Sequence, residues 1–285
     1  MGLWSIPFLM MGGILMLKKI VKNVQNQTPL VHNITNYVTV NDCANIILAC
    51  GGSPIMADEM TEVEEITTIC QSLVINIGTL NSRTIEAMIT AGKKANQLNH
   101  PVILDPVGAG ASTLRTETVE RLIKEVKFSV IRGNISEIKT LAAGTGQTLG
   151  VDASAADLVT DKNIDSVIEM ARTLSEKTGA VIAISGVIDL VVDINQVFMI
   201  RNGHPLMSKI TGAGCMLTAV IGAYCGANPN QVIEATVTAI CAMGLCGEIA
   251  ATKCEGTSSF KMHLIDAMST LNETILEGGM KIETK

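Results

Sequence analysis

At 285 residues, 47% hydrophobic and only 17% charged, the chain has the length of one large α/β domain and an aliphatic core, with one Trp, two Tyr and four Phe spread through it. Its formal net charge is −6 and no basic cluster interrupts it, which excludes nucleic acid as a partner, because such binding needs a positive face. Eight scattered cysteines without a C-x-x-C pair read as buried thiols of a cytoplasmic protein, not as a disulfide framework or a zinc site.

The chain opens on an apolar run from Met1 to Leu17, with Lys18 and Lys19 behind it. A secretory signal carries its positive charge first and a small-residue cleavage site last, so the polarity is wrong for one. The run is short for a membrane span and contains Pro7, Gly12 and Gly13. Residues 1–15 read as a non-native or upstream-initiated extension, with Met16 as the start of a single domain over 16–285. A membrane-touching anchor is the alternative reading, and stable membrane insertion is not expected.

From Leu30 onward, short β-branched runs alternate with helical stretches. Strands are predicted at Leu30–Thr35, Ser53–Met56, Leu73–Ile77, Val102–Asp105, Ser129–Arg132, Val181–Ser185, Leu190–Asp193 and Val197–Ile200. Helices are predicted at Val40–Ala49, Val63–Cys70, Ser82–Asn99, Thr113–Val126, Ile135–Ala142 and Asp165–Thr178. Such alternation predicts an α/β fold with a mainly parallel sheet covered by helices on both faces. Gly144–Gly150 reads as a surface loop, and from Gly212 to about Glu277 the pattern is helical only, a C-terminal cluster.

In open α/β sheets, ligands bind beyond the carboxyl ends of the strands. That rule selects Asn33 to Asn36, Met56, Gly78, Asp105, Arg132 to Asn134 and Ser185-Gly186. Asn36 can bond a ring nitrogen or hydroxyl of a neutral ligand, and Met56 offers either an apolar wall or ordinary core packing. His32, nearby, reads as a structural histidine. Asp105 closes its strand before Pro106 and reads as a magnesium ligand or as a turn-forming residue. Asn134 and Glu137 have capping-box spacing, and the same spacing presents an amide and a carboxylate to the crevice, beside Arg132 for phosphate oxygens.

Thr211-Gly212-Ala213-Gly214-Cys215 leads into an apolar helix from Met216 to Ala227. A glycine turn opening a helix aims free N–H groups and the positive end of the dipole at one point, an anion site. Cys215 falls in the first turn, where a thiolate is favoured; the alternative is a small buried hydrophobe.

Taken together, Pro-Leu-Val-His-Asn-Ile-Thr-Asn, Gly-Gly-Ser-Pro-Ile-Met-Ala, Asn-Ile-Gly-Thr-Leu, Val-Ile-Leu-Asp-Pro-Val-Gly-Ala-Gly, Arg-Gly-Asn-x-x-Glu and Thr-Gly-Ala-Gly-Cys resemble the hydroxyethylthiazole kinase family of the ribokinase-like superfamily. The resemblance runs in order from about Leu30 to the C-terminus. It implies Mg-ATP-dependent phosphorylation of 4-methyl-5-(2-hydroxyethyl)thiazole in thiamine salvage. It places Met56 and Gly212 on the thiazole, and Arg132, Ser185 and Gly214 on ATP. Asn134 and Glu137 match the superfamily's Asn-x-x-Glu element, which organises Mg²⁺ and phosphate through water, with Asp105 assisting. The family is typically a homotrimer with sites between subunits, so Met56 would serve a neighbour's site.

Cys215 stands where many ribokinase-like enzymes carry Asp as the base, although some hydroxyethylthiazole kinases have Cys. A weak base is tolerable where the alcohol proton leaves late; covalent catalysis by the thiol is a rival role. Kinases of pyrimidine or pyridoxal alcohols, and a non-catalytic thiazole- or nucleotide-binding protein, remain alternative functions.

Overall fold

The computed structural model describes residues 11–144 and 159–285; the stretch read as a loop up to Gly150 lies, from residue 145 on, outside them. The alternating pattern becomes β1 (Leu30–Ile34), α2 (Val40–Ala49), β2 (Ser53–Ile55), α3 (Val63–Ile69), β3 (Ser72–Asn76), α4 (Ser82–Gln97), β4 (Val102–Asp105), α5 (Thr113–Glu125), β5 (Val130–Asn134), α6 (Ile135–Ala143), α7 (Ile164–Thr178) and β6 (Val181–Ser185). The hairpin β7 (Asp189–Val192) and β8 (Val197–Ile200) follows. Then come the predicted helices of the C-terminal cluster, α8 (Ala213–Ala227), α9 (Val232–Ala251), α10 (Thr257–Thr270) and α11 (Glu273–Gly279).

One α-helix and one strand were not expected from the pattern. The helix α1 (Met11–Gln27) begins inside the stretch read as an extension, and among its described side chains burial starts at Leu17. Leu17, Ile20, Val21 and Val24 have the i, i+3, i+4, i+7 spacing of a helix face, a signal masked by the glycines and apolar residues before it. The other is β9 (Ile282–Thr284), a three-residue edge strand on β8, too short and charged to announce itself in sequence.

The strands form one sheet in the order β2-β1-β3-β4-β5-β6-β7-β8-β9. Pairings from β2 to β6 are parallel and the last three are antiparallel. The chain steps from β1 to β2 in one direction and from β3 onward in the other. The switch point therefore lies between β1 and β3, where a doubly wound sheet opens a crevice at its carboxyl edge.

Strand pleating divides the core in two. Val74, Ile103, Val130 and Val181 face a cluster built from α1, α2, α8, α9 and α10, whereas Leu73, Ile75, Val102, Leu104, Ile131 and Ile182 face α3 to α7. Strands buried on both faces have no alternation to display, so they read as continuous apolar runs. Every residue of α8 from Met216 to Ala227 is buried, which explains a helix apolar all round. Among the described residues α9 alone is long and apolar enough to cross a membrane, but it is 78% buried and packs between α8 and α10 as a core helix.

Candidate active site

The pleat that sorts the core also builds the site. Two residues on from Val74, Ile103 and Val130, the same parity puts Asn76, Asp105 and Arg132 on the face covered by α8. Ser185 follows Ala183 in the same way on β6. Four neighbouring parallel strands thus deliver polar side chains to one edge, and α8 starts above them.

Asp105 is fully buried; its Oδ2 accepts bonds from Asn76 Nδ2 at 2.9 Å and Thr218 Oγ1 at 2.8 Å. Its Oδ1 has no hydrogen-bond partner and lies 3.6 Å from Arg132 Nη1. Burial pushes the carboxyl up to about 6, resisted first by the Arg132 guanidinium, with the Glu137 charge adding to the rise and the Thr218 and Asn76 bonds opposing it. Arg132 is 9% exposed, donates through Nη2 to Ser185 Oγ and leaves Nε without a partner.

Gly212 starts α8 with a left-handed φ of +87°, and a Cβ there would stand 2.8 Å from Thr39 Cγ2. Met216 is the first residue of the ladder, bonding Gly212 O at 2.8 Å, so the N–H groups of residues 213–215 remain outside it. A Cβ on Gly214 would lie 2.5 Å from Arg132 Nη1, so this glycine lets the guanidinium rest against the helix start. Two positive features, a cation and a helix N-terminus, share one corner with a buried carboxylate beside them.

Cys215 is half-buried in the first turn, and its sulfur accepts bonds from Asn36 Nδ2 and Asn76 Nδ2, both at 3.3 Å. The expectation that the helix end favours a thiolate is corrected. Burial raises the thiol and the Asp105 charge adds to it, outweighing the bonds from Thr39, Asn36 and Asn76.

Asn134 and Glu137 form the capping box that their spacing predicts, with bonds of 2.9 and 2.8 Å. Glu137 Oε1 also accepts Gly108 N at 2.9 Å, which ties the loop after β4 to the start of α6. Each oxygen of this carboxylate is therefore engaged by a backbone N–H. Among the described residues no group of three or more His, Cys, Asp or Glu forms a ready metal cage.

A cleft of about 540 Å³ opens beside this corner, lined among others by Arg132, Ser185, Asp189, Asn202, His204 and Gly214. Met56 stands apart, beyond β2 at the sheet edge, with β1 between that strand and β3. His32 is structural, as expected: fully buried, with its ring nitrogens 2.9 Å from Thr67 Oγ1 and 2.8 Å from Ala57 O. Sequence reasoning missed Asn76, Thr218, Thr39 and Asp189 as members of the site. Asn76 and Thr218 carried a usable signal, a polar residue ending an apolar strand run and a hydroxyl one turn beyond the Gly214 corner.

Residues 21–274 match the model of the hydroxyethylthiazole kinase family. The Clostridium acetobutylicum protein named hydroxyethylthiazole kinase is 57% identical over 272 residues, covering 94% of this chain and 100% of that one. The structure of hydroxyethylthiazole kinase from Pyrococcus horikoshii superposes with a TM-score of 0.85 at 31% identity, covering 95% of this chain and 99% of that chain. A Staphylococcus aureus pyridoxal kinase in complex with AMP-PCP and pyridoxal shares the fold alone, with a TM-score of 0.58 at 16% identity over 90% of this chain and 98% of that one. With strand order, glycine corner and buried acid in place along the matched length, this chain belongs to the hydroxyethylthiazole kinase family, within the ribokinase-like fold.

Proposed function

We propose that the chain transfers the γ-phosphate of ATP to the hydroxyl of hydroxyethylthiazole, as the names of its relatives suggest, in thiamine salvage in the cytoplasm. The observation that carries this reading is the Arg132 guanidinium resting on the first turn of α8. Like-signed features held together in a partly buried corner favour an anion between them, and a phosphoryl group in transfer is such an anion. The cleft beside Ser185 and Gly214 would hold the rest of the nucleotide.

In this mechanism the alcohol lies between the γ-phosphate and Cys215. Arg132 and the amides of residues 213–215 offset charge on the moving phosphoryl group. Cys215 in its thiolate form takes the hydroxyl proton late, becoming the neutral thiol, when the bond to the leaving oxygen is largely broken. Burial raises the Cys215 thiol, so the thiolate that accepts the proton, like the one a covalent role would need, is the minor form, in keeping with a weak base.

The residues present suit a magnesium ion that keeps most of its waters. Asp105 Oδ1 is a buried oxygen without a hydrogen bond, and Glu137 keeps a free lone pair on each oxygen after its backbone bonds. Asp105 and Glu137 would hold the ion, Glu137 through water, and the ion would neutralise phosphate charge.

The catalytic unit is read as residues 16–285, with 1–15 outside it. A homotrimer fits the apolar exposure on the segments that follow β1 and β2, where Tyr37, Val38, Leu48 and Ile69 are 79, 57, 58 and 57% exposed. Met56 would then face a neighbour's thiazole, with Gly212 on the substrate side of the corner.

ADP release measured with hydroxyethylthiazole, hydroxymethylpyrimidine and pyridoxal, with and without Mg²⁺, tests the reading. Turnover with the thiazole alone, dependent on the metal, is the expected result. Faster turnover of another alcohol would reassign the substrate, and heat stabilisation by thiazole without ADP would point to binding only.

A further inference from the structure

Asn36 and Asn76 are the two side chains whose amides meet on the Cys215 sulfur, and neither can turn around. The Oδ1 of Asn36 accepts the Thr39 N–H at 3.1 Å and the Thr39 hydroxyl at 3.1 Å. The Oδ1 of Asn76 accepts the Gly78 N–H at 2.9 Å and Asn36 Nδ2 at 3.0 Å. A backbone N–H can only donate and a carboxylate only accept, so Thr39 and Gly78 at one end and Asp105 at the other fix both orientations.

The four amide hydrogens are then fully assigned. Asn36 gives one to Asn76 Oδ1 and one to sulfur; Asn76 gives one to Asp105 Oδ2 and one to sulfur. No hydrogen or lone pair is left over for a substrate. A Cβ on Gly78 would stand 2.9 to 3.0 Å from the Asn36 side chain, so the backbone after β3 is shaped around this amide. Asn36 is 4% and Asn76 2% exposed, which makes any lost bond costly to leave unmade.

We propose that Asn36 and Asn76 form a two-amide cradle that engages two lone pairs of the Cys215 thiolate and leaves the third directed to the crevice, so that both act as positioning residues for Cys215 and not as substrate contacts. The inference rests on the reading of Cys215 as proton acceptor. When the alcohol proton arrives, the thiolate becomes a neutral thiol, and the charge it loses is the charge the two N–H groups were stabilising. The cradle therefore aims the acceptor at the cost of some of its basicity, a compromise suited to a step where position matters more than base strength.

The test is a double-mutant cycle on the full chain. Asn36→Ser keeps a hydroxyl to accept the Thr39 N–H while deleting the N–H on sulfur, and it leaves Asp105's bonds untouched. In the Cys215 protein it should lower kcat about tenfold with KM for the thiazole alcohol within about threefold, in protein that still unfolds cooperatively though at a lower temperature. In the Cys215→Ala protein the same change should alter kcat less than about twofold. An equal loss in both backgrounds, or a loss confined to KM, would overturn the cradle. Full activity of Cys215→Ala alone would instead overturn the proton-acceptor reading and leave the amide geometry standing. Should Asn36→Ser unfold, Asn76→Ser run through the same cycle supplies the second leg.

Discussion

The two sides of the crevice follow opposite rules. Toward β1 and β3, Asn36 and Asn76 spend every amide hydrogen and every lone pair inside the protein. Toward β4 and β5, Asp105 keeps a bare Oδ1 and Arg132 a bare Nε, two of the five buried unpaired polar atoms among the described residues. Unmet bonds of that kind cost about 1–3 kcal/mol each. A saturated wall holds its geometry whatever is bound, whereas an unsaturated one is completed by a ligand. On the proposed function, rigidity falls to the acceptor side and charge recognition to the phosphate side.

Removing the cation is the largest way to break that contrast. Arg132→Gln should lower kcat by roughly 10²–10³, the scale set by losing one preorganised donor at a developing anion. ADP release at saturating ATP checks it. A loss below tenfold would mean that the unsaturated wall is not where phosphoryl charge is stabilised.

The acceptor side comes next. Cys215→Ala should slow turnover by about 10², the low end for a positioned base, with nucleotide binding retained. Cys215→Asp should keep or raise activity, since a carboxylate accepts the same two amide bonds. Complete and equal loss in both variants would contradict the weak-base account.

The fold was legible where periodicity and strand ends agree. The runs at Val102–Asp105 and Val181–Ser185 and the helix at Val40–Ala49 appear with the expected limits, because apolar runs cut off by Pro, Gly or a polar residue leave little choice of boundary. The glycine corner and the Asn134–Glu137 box were legible because each is a local backbone motif. The bonding around Cys215 was not, since it joins residues 139 and 179 positions apart, and nothing near Asn36 or Asn76 in the chain signals the other. The balance of forces on the thiol was hidden for a related reason. A helix end is a sequence feature, but burial and the Asp105 charge arrive only with the packed sheet.

A smaller change separates stability from function at the corner itself. Gly214→Ala adds a methyl 2.5 Å from Arg132 Nη1, the movable end of a long side chain, so the guanidinium must give way while the helix does not. Alanine in a helix is favoured over glycine by about 0.8–1 kcal/mol. The variant should melt no lower than the parent and yet need about tenfold more ATP for half-maximal rate. A fall in both properties would show that Arg132 cannot move, placing it with the rigid wall instead.

The smallest effect concerns the bare oxygen. Asp105 sits at about 6 in the folded protein against an ordinary value of 3.8, and burial is the main cause. Between those two pH values the folded chain keeps a proton that the unfolded chain has released, so stability falls as pH rises through the window. From pH 7 down to pH 5 the parent should gain about 1 kcal/mol over Asp105→Asn, which has no such proton, in denaturant titrations. Its kinase rate should fall over the same interval, because the protonated acid can neither pair with Arg132 nor hold a cation. Stability and activity moving in opposite directions is what an unsaturated charge kept for a ligand requires. Parallel stability curves for the two proteins would mean that Arg132 already satisfies Asp105, and the contrast between the walls would then rest on Arg132 Nε alone.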